Sequence, residues 1–478
     1  MELKLNNIGI IKDSTISIDG LTVITGKNNS GKTTVGKALY YLSRANIDTE
    51  NAYDKSRNAF ILTQISNISD DLFGRRRLAF TVVEEQDNEA PRDDALDFLY
   101  SLSFDRHRRF SNRQAIEKEL IDAVGVTLDT ITLDRYNEFL ETKNAPLSLK
   151  NEEEFKSIIE EAQTTYKYMT KALEDPNSFE RFIVDRTKKF LNLGFSSQVR
   201  PIRNDDVCAE ANLKHNGSMN VDVRISKDNE YTVTNNTGSY PFEAVFYIDN
   251  PFIIDEVGET QYIPWGLRDR SIGIDEISSI DITSYNYDLK RKIMESASDN
   301  FFDSIILQEK TSTLFKKINE ILPGEFLQAK DGNYYVDDGY KLKPQNLATG
   351  SKSFFILKQL LLNGHIKEKT LVVLDEPESH LHPEWINKFA EILVLIIKEL
   401  DTKVLLTTHS PNLLLALNYY SDEYGIRDSS HFYLAEKEEN GWAAHIEAVD
   451  DEIGKAYGHL SLPLIEMNLM RKALEKEI

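Results

Sequence analysis

The stretch TGKNNSGKTT, residues 25–34, lies between an apolar run, LTVI, and a helix-like run, VGKALYYL. It carries the spacing G-x-x-x-x-G-K-[ST] at Gly26, Gly31, Lys32 and Thr33. In such a loop the glycines let backbone N–H groups surround phosphates, the lysine supplies a cation for the β- and γ-phosphates, and the hydroxyl binds magnesium. The loop and its flanks therefore predict a site for ATP and Mg²⁺.

Two later apolar runs end in residues that can act on a phosphate. TLVVLDEPESHLHPEW (370–385) is typical of a strand that ends in Asp375 and Glu376, and KVLLTTHSP (403–411) of a strand that ends in His409. Asp375 would hold Mg²⁺ through its water shell, and Glu376 would polarise the attacking water. A purely structural role explains the two carboxylates less well, because unpaired carboxylates at a buried strand end are costly. His409 fits a sensor of the γ-phosphate.

A fourth element, NLATGSKSFFILKQLLLNG (346–364), places a small-residue turn before an amphipathic helix, just ahead of the carboxylate strand. Alone it is an ordinary capping arrangement. Its position in the order of the elements makes it informative.

The composition limits the class of protein. The chain has 478 residues, a formal net charge of −22, nine histidines without zinc-ligand spacing, and a single cysteine, Cys208. One cysteine excludes an intramolecular disulfide framework, and the negative charge argues against non-specific coating of nucleic acid. The sequence shows neither an apolar run of about 18 residues nor a basic-then-apolar leader, so we expect a cytoplasmic protein without a membrane partner.

Hydrophobic periodicity predicts the elements that position these residues. Residues 1–26 and 219–250 alternate as strands do, and residues 352–418 alternate helix and strand as in an α/β sheet. Between them lie long, charged, helical patterns. The predicted organisation is a discontinuous head at 1–45 and 206–430, a helical insertion at 46–205 that forms a coiled-coil-like hairpin or bundle, and a C-terminal hairpin and helix at 431–478.

The order of phosphate loop, insertion, small-residue signature, Asp-Glu strand and histidine strand resembles the ABC-type P-loop ATPase head, a mixed sheet with flanking helices. GKNNSGKTT, DEPESHLHPEW and TTHSP are similar to the soluble heads of OLD-type and RecF/SMC-like ATPases, the AAA15/AAA21 group, over about residues 1–45 and 240–425. The resemblance implies that Asp375 and Thr33 bind Mg²⁺, that Glu376 is the base and that His409 is the sensor. It extends the phosphate loop to Asn28, Asn29, Ser30 and Thr34.

Heads of this group dimerise, so that the signature of one chain closes on the γ-phosphate held by the other. The signature residues here are Ala348, Thr349, Gly350 and Lys352. The family pattern Leu-Ser-(Ser/Gly)-Gly reads Leu347-Ala348-Thr349-Gly350 in this chain, which removes the serine hydroxyl. Backbone N–H groups and the helix N-terminus remain available, so we expect ATP binding with slow, switch-like hydrolysis.

Other segments leave alternatives open. The basic runs GRRRL (74–78) and DRHRRF (105–110) are either solvated or internally paired helix faces, or contacts for nucleic acid or a partner. YIPWGLRDR (262–270) is more typical of packing than of base stacking, and Gln64 and Gln261 are both candidates for the glutamine of the lobe-connecting loop. The glutamate and Asp-x-Asp of a Toprim site do not follow His409, and the DDE at 450–452 lies in a polar run. We therefore predict no nuclease activity.

Two functional classes follow from the resemblance. Standalone heads with these motifs resemble the ATPase subunits of anti-phage systems such as PARIS and Septu, where the ATPase senses a trigger and controls a separate effector, commonly a nuclease. The alternative is a RecF/SMC-like DNA-repair ATPase that clamps DNA when ATP drives dimerisation. Both imply a homodimer or a larger homo-oligomer. A detached importer ATPase fits less well, because of the long insertion and the altered signature.

Overall fold

The computed structural model describes most of the chain. The described residues are 1–73, 94–104, 118–143, 151–201, 207–235, 240–256, 285–295, 312–329, 332–439 and 441–474. They form two compact units. The first unit lies within residues 1–48, 183–262 and 282–478, and the described part of the second lies within residues 49–182. The basic runs 74–78 and 105–110, the aromatic-rich segment 262–270 and Gln261 lie outside the described residues.

The strands are β1 (Glu2–Ile8), β2 (Ile11–Ser17), β3 (Leu21–Gly26), β4 (Ala209–His215), β5 (Ser218–Ile225), β6 (Tyr231–Asn235), β7 (Ala244–Ile248), β8 (Glu325–Ala329), β9 (Gly332–Asp337), β10 (Tyr340–Leu342), β11 (Thr370–Asp375), β12 (Lys403–Thr408), β13 (Ser430–Lys437) and β14 (Ala444–Ala448). The helices are α1 (Lys32–Asn46), α2 (Thr49–Phe73), α3 (Asp94–Phe104), α4 (Lys118–Thr130), α5 (Leu133–Thr142), α6 (Glu152–Leu173), α7 (Ser178–Gly194), α8 (Tyr285–Met294), α9 (Ser312–Ile321), α10 (Thr349–Leu362), α11 (Pro383–Leu400), α12 (Pro411–Glu423) and α13 (Ile453–Leu474).

The first unit is built on one eleven-stranded mixed sheet of order β6-β5-β4-β1-β2-β14-β13-β3-β12-β11-β7. Five neighbouring strands, β13, β3, β12, β11 and β7, run parallel to one another. β1, β2, β4, β5 and β6 pair antiparallel at one side. The carboxyl ends of β3, β11, β12 and β7 therefore meet at the same edge of the sheet, where ligands of open α/β sheets bind.

The parallel strands are apolar because both of their faces are covered. Val23, Leu374 and Leu406 belong to one hydrophobic cluster together with residues of α10, α11 and α12. Ile24 and Leu405 belong to a second cluster together with residues of α1 and α7. The sheet between two helical layers fixes the strand ends rigidly, so the residues that follow them have defined positions.

The described part of the second unit is helical. α2 to α6 bury a separate apolar cluster that includes Ile61, Ile65, Leu96, Val124 and Met169. A three-stranded antiparallel sheet, β10-β9-β8, forms the predicted meander of the first unit. None of the helices in the described part of the chain is long and apolar enough to cross a membrane.

The C-terminal hairpin differs from the prediction, which placed residues 431–478 outside the head. β13 and β14 form the predicted antiparallel hairpin, but β13 also pairs in parallel with β3, and β14 with β2. The hairpin therefore completes the main sheet. Tyr433 and Leu434 are apolar and buried in the two opposite clusters, which is the pattern of a strand covered on both faces.

Candidate functional site

The loop between β3 and α1 has a conformation that requires its glycines. Gly26 has a φ of +154° and Gly31 a φ of +91°, both in the region that favours glycine. A Cβ on Gly26 would lie 2.4 Å from the Ala435 carbonyl oxygen, and one on Gly31 would lie 2.4 Å from Ile11 Cδ1. Gly31 precedes α1 without a side-chain cap, so the first N–H groups of the helix are free of a capping side chain. This geometry fits a loop that binds phosphate.

The other loop residues differ in exposure. Asn28 and Asn29 are exposed, and Asn29 adopts a φ of +65°. Ser30 is buried, and its Oγ has no hydrogen-bond partner among the described residues. A buried hydroxyl without a protein partner in a loop of this kind is a group that a phosphate oxygen could pair with. Thr34 is half-buried, and its Cγ2 would touch a Cβ placed on Gly9.

Lys32 is the buried cation of the site. Its Nζ donates to the carbonyl oxygens of Gly26 (3.1 Å) and Lys27 (3.0 Å). The same nitrogen lies 3.4 Å from Oε1 of Glu376, although the Lys32 side chain is only 4% exposed. Two carbonyl oxygens of the loop and the Glu376 carboxylate thus surround the ammonium group.

Asp375, the last residue of β11, accepts hydrogen bonds from three hydroxyl groups. Thr33 Oγ1 donates to Oδ1 at 3.1 Å, Thr407 Oγ1 donates to the same oxygen, and the Tyr247 hydroxyl donates to Oδ2 at 3.0 Å. Burial, together with the nearby charge of Asp375, raises the pKa of Tyr247 far above its usual range, so this phenol remains a donor. The carboxylate is thereby fixed beside the loop hydroxyl.

Glu376 follows in a left-handed conformation, with φ 50° and ψ 50°. Its backbone N–H donates to the carbonyl and hydroxyl oxygens of Thr407, at 3.1 and 3.2 Å. This conformation costs a non-glycine residue about 1–2 kcal/mol. It turns the Glu376 side chain out of the strand, where it is 32% exposed and reachable by water.

His409 lies between β12 and α12. Ser410 caps α12 by accepting the Leu413 N–H at 3.3 Å, and Pro411 begins the helix, so the chain turns immediately after the histidine. Nδ1 of His409 is 3.4 Å from Oε2 of Glu376 and 3.6 Å from Oε1 of Glu378. The structure thus brings together Lys32, Thr33, Asp375, Glu376 and His409.

A cavity of about 510 Å³ adjoins this cluster. Its polar lining includes Thr33, Asp249, Asp375, Glu376 and Ser353, and Leu357 and Phe389 contribute apolar surface. Two helical residues, Ser353 and Leu357, bring α10 to the same cavity as the strand ends. Among the described residues, the predicted signature positions Ala348, Thr349, Gly350 and Lys352 do not line it.

The signature residues lie at the start of α10. Ala348 precedes the helix and its side chain makes no capping hydrogen bond. A Cβ on Gly350 would lie 3.3 Å from the His380 carbonyl oxygen, which makes the contact tight. The buried ammonium of Lys352 pairs with Asp255 Oδ1 at 2.5 Å and lies over the Phe252 ring. Lys352 therefore fixes the start of α10 within its own chain.

Sequence reasoning missed several polar residues of the site. Asp249 follows β7 and accepts from the Tyr285 hydroxyl at 2.6 Å, and burial raises its pKa. Tyr247 looks like a core residue of an apolar strand. Thr407 lies in the motif TTHSP and Glu378 in the motif DEPESHLHPEW. Their closeness in sequence to His409 and Glu376 was the signal that could have identified them. Of the two glutamine candidates, Gln64 lies in α2, within the second unit. The residues that follow β7 in the first unit are Asp249 and Asn250, and neither is a glutamine.

A phosphate loop after a central strand, with the Asp-Glu pair and the histidine at the ends of the next two strands, defines an ABC-type P-loop ATPase head with a helical insertion. The family model described as "AAA domain, putative AbiEii toxin, Type IV TA system" matches residues 21–213 and 278–416, more than half of the chain. The chain belongs to this AAA21 family. The predicted fold class is thus confirmed.

Solved structures show weaker similarity. The SMC head domain from Thermotoga maritima is 13% identical, with a TM-score of 0.35 over 94% of this chain and 98% of that chain. The Smc head domain with an extended coiled coil from Pyrococcus furiosus is 9% identical, with a TM-score of 0.36 over 95% and 97%. The recombination mediator RecF of the RecFOR pathway is 9% identical, with a TM-score of 0.34 over 94% and 97%. No curated protein matches the chain.

Proposed function

We propose that the chain binds ATP at residues 26–34 and hydrolyses it slowly, with Glu376 as general base and His409 as sensor of the γ-phosphate. One observation carries the proposal. Glu376 lies 3.4 Å from Lys32 Nζ on one side and 3.4 Å from His409 Nδ1 on the other, at the edge where β3, β11 and β12 end. A base, a phosphate-binding cation and an imidazole within reach of one another are the parts that phosphoryl transfer to water needs.

Thr33 and Asp375 are the residues that would hold Mg²⁺. A hydroxyl and a carboxylate, which are oxygen ligands of the kind Mg²⁺ takes, lie 3.1 Å apart at the cavity. Bound there, Mg²⁺ would neutralise charge on the β- and γ-phosphates. Tyr247 and Thr407 orient the Asp375 carboxylate through the hydrogen bonds they donate.

Glu376 performs the proton transfer in this mechanism. Its carboxylate accepts a proton from a water molecule whose oxygen bonds to the γ-phosphorus, while the bond from that phosphorus to the β–γ bridging oxygen breaks. Phosphate binding draws Lys32 toward the nucleotide, and this frees Glu376 for the water. Lys32 then offsets the negative charge of the phosphates in a largely buried setting.

The signature points to an ATP site completed by a second copy of the chain. Ala348 lacks the hydroxyl of the family pattern. The Ala348 side chain makes no capping hydrogen bond, so it leaves the first N–H groups of α10 uncapped. Backbone N–H groups alone give less transition-state stabilisation than N–H groups with a hydroxyl, so turnover is slow. Ala348, Thr349 and Gly350 therefore face the γ-phosphate of the partner copy in a homodimer or larger assembly.

The biological role proposed is that of a regulatory, scaffold-forming ATPase of an anti-phage system, which senses a trigger and controls a separate effector, such as a nuclease. The description of the matched family names a toxin of a type IV TA system. We take this as support for a role that involves a separate partner, and we propose that the protein acts in the cytoplasm. DNA clamping is the competing role, and the experiment below separates the two.

Light scattering on Glu376→Gln protein, with and without ATP and Mg²⁺, tests the proposal. The variant should bind ATP without hydrolysing it, and its mass should rise at least to that of a dimer; Lys32→Ala in the same background should abolish the rise. An unchanged mass together with undetectable ATP binding would refute the site. DNA binding that appears only with ATP and falls steeply with salt would replace the scaffold role with the clamp.

A further inference from the structure

Glu378 is a buried carboxylate beside the site. It lies in the 3-10 turn Pro377–His380, two residues after Glu376, and is 6% exposed. Charged residues are almost never buried to this degree unless they are paired. Its position next to the catalytic residues therefore requires an explanation.

The Glu378 side chain contacts the end of β12. Its Oε1 accepts the Thr408 hydroxyl at 2.5 Å and the His409 backbone N–H at 3.0 Å, and lies 3.6 Å from His409 Nδ1. Its Oε2 is buried and has no hydrogen-bond partner among the described residues. Glu376 is the other carboxylate at the ring, 3.4 Å from the same nitrogen.

The negative charge of Glu378 costs stability. Burial raises the pKa of this carboxyl above its usual range, although the bonds from Thr408 and His409 oppose the rise. A glutamine could accept the same two hydrogen bonds through its carbonyl oxygen without a buried charge. Apart from its attraction for the His409 ring, the carboxylate therefore gives the fold no hydrogen bond that an amide would not supply.

We propose that Glu378 is a positioning residue for His409. It holds the histidine backbone against the turn that carries Glu376, and its charge keeps Nδ1 of the ring turned toward the two carboxylates. The Nε2 edge is then left for a phosphate oxygen. This inference rests on the proposed ATPase site, because the role of His409 is part of that proposal.

A double-mutant cycle tests it. Glu378→Gln should lower turnover by about 10- to 100-fold, the range for an outer-shell partner, while KM changes less than about twofold, since the loop is untouched. Combined with His409→Ala, Glu378→Gln should cause no further loss, because the residue acts through the ring. A second loss of equal size in the double variant would overturn the inference.

A spectroscopic measurement tests the interaction between Glu378 and the His409 ring without hydrolysis. In protein labelled in its histidine rings, the resonance missing from His409→Ala should shift in Glu378→Gln and stay in place in Glu320→Gln, a control at an exposed glutamate. An unmoved His409 resonance in Glu378→Gln would contradict the inference. The melting temperature should equal or exceed that of the natural protein, whereas a merely structural carboxylate predicts a decrease.

The two proposals fail in different ways. If Lys32→Ala binds ATP as well as the natural protein, the ATP site is misplaced whatever the behaviour of Glu378. If the Lys32 variant fails to bind and only the His409 coupling is missing, the site stands and the inference about Glu378 falls.

Discussion

Removing one hydroxyl group should weaken magnesium binding without disturbing the fold. Tyr247→Phe deletes the hydroxyl that donates to Asp375 Oδ2 at 3.0 Å. The ring itself packs against Tyr40 and Tyr285, with centroid distances of 5.6 and 4.9 Å, and phenylalanine preserves both contacts. The perturbation is therefore confined to the orientation of the Asp375 carboxylate.

The expected magnitude follows from the number of donors to that carboxylate. In the variant, Oδ1 of Asp375 still accepts hydrogen bonds from the hydroxyl groups of Thr33 and Thr407. Oδ2 loses the hydrogen bond from Tyr247. A hydrogen bond to a charged group contributes about 1.5–3 kcal/mol. Loss of an outer-shell partner typically costs about 10–100-fold in metal affinity, so the Mg²⁺ concentration for half-maximal turnover should rise by about tenfold or more.

The assay is ATP turnover as a function of Mg²⁺ at saturating ATP. Tyr285→Phe is the matched control. Tyr285 packs against Tyr247, but its hydroxyl group donates to Asp249 and not to Asp375. A midpoint for Tyr247→Phe within twofold of the natural protein would refute the assignment of Asp375 as the oriented metal ligand. Equal shifts in the two variants would refute the specific role of Tyr247.

Three further variants extend the test. Lys358→Met leaves the Asn319, Leu322 and Gly324 acceptors unpaired and should cost about 3 kcal/mol in chemical unfolding, with Lys316→Met as an exposed control. Gly31→Ala should cost about 2 kcal/mol and weaken ATP binding, more than Gly217→Ala, which has positive φ but no close neighbour. Folding raises the pKa of Glu378, so the charge of this carboxylate lowers the free energy of unfolding as pH rises above about 4.5. The increase in melting temperature of Glu378→Gln over the natural protein should therefore be smaller at pH 5 than at pH 7.5.

The residues proposed for the ATP site could be located from the sequence because each lies in a short motif at the end of an apolar strand. Parallel strands bring their carboxyl ends to one edge, so Asp375 and His409, 34 positions apart in the chain, were expected beside the phosphate loop. The sheet geometry then determined which residues meet. This part of the site depends on local sequence and one general rule of α/β folds.

The residues that support the site were not predictable, because no local motif marks them and their contacts join distant parts of the chain. Tyr247 and Asp375 are 128 positions apart, and nothing in the pattern AVFYI distinguishes a hydrogen-bonding tyrosine from a packed one. The place of β13 beside β3 was also missed, because hydrophobic alternation predicts a strand but not its neighbour. Both features depend on contacts between residues that are far apart in the sequence.

The pairing of β3 with β13 joins two segments that are synthesised far apart in time. Gly26 is in register with Ala435, whose carbonyl oxygen leaves no room for a side chain on the glycine. The ribosome makes the phosphate loop about 400 residues before this neighbour, which at about 5–20 residues per second is about 20–80 s. A nascent or prematurely terminated chain therefore carries the motif without β13, the strand that pairs with β3 and closes on Gly26.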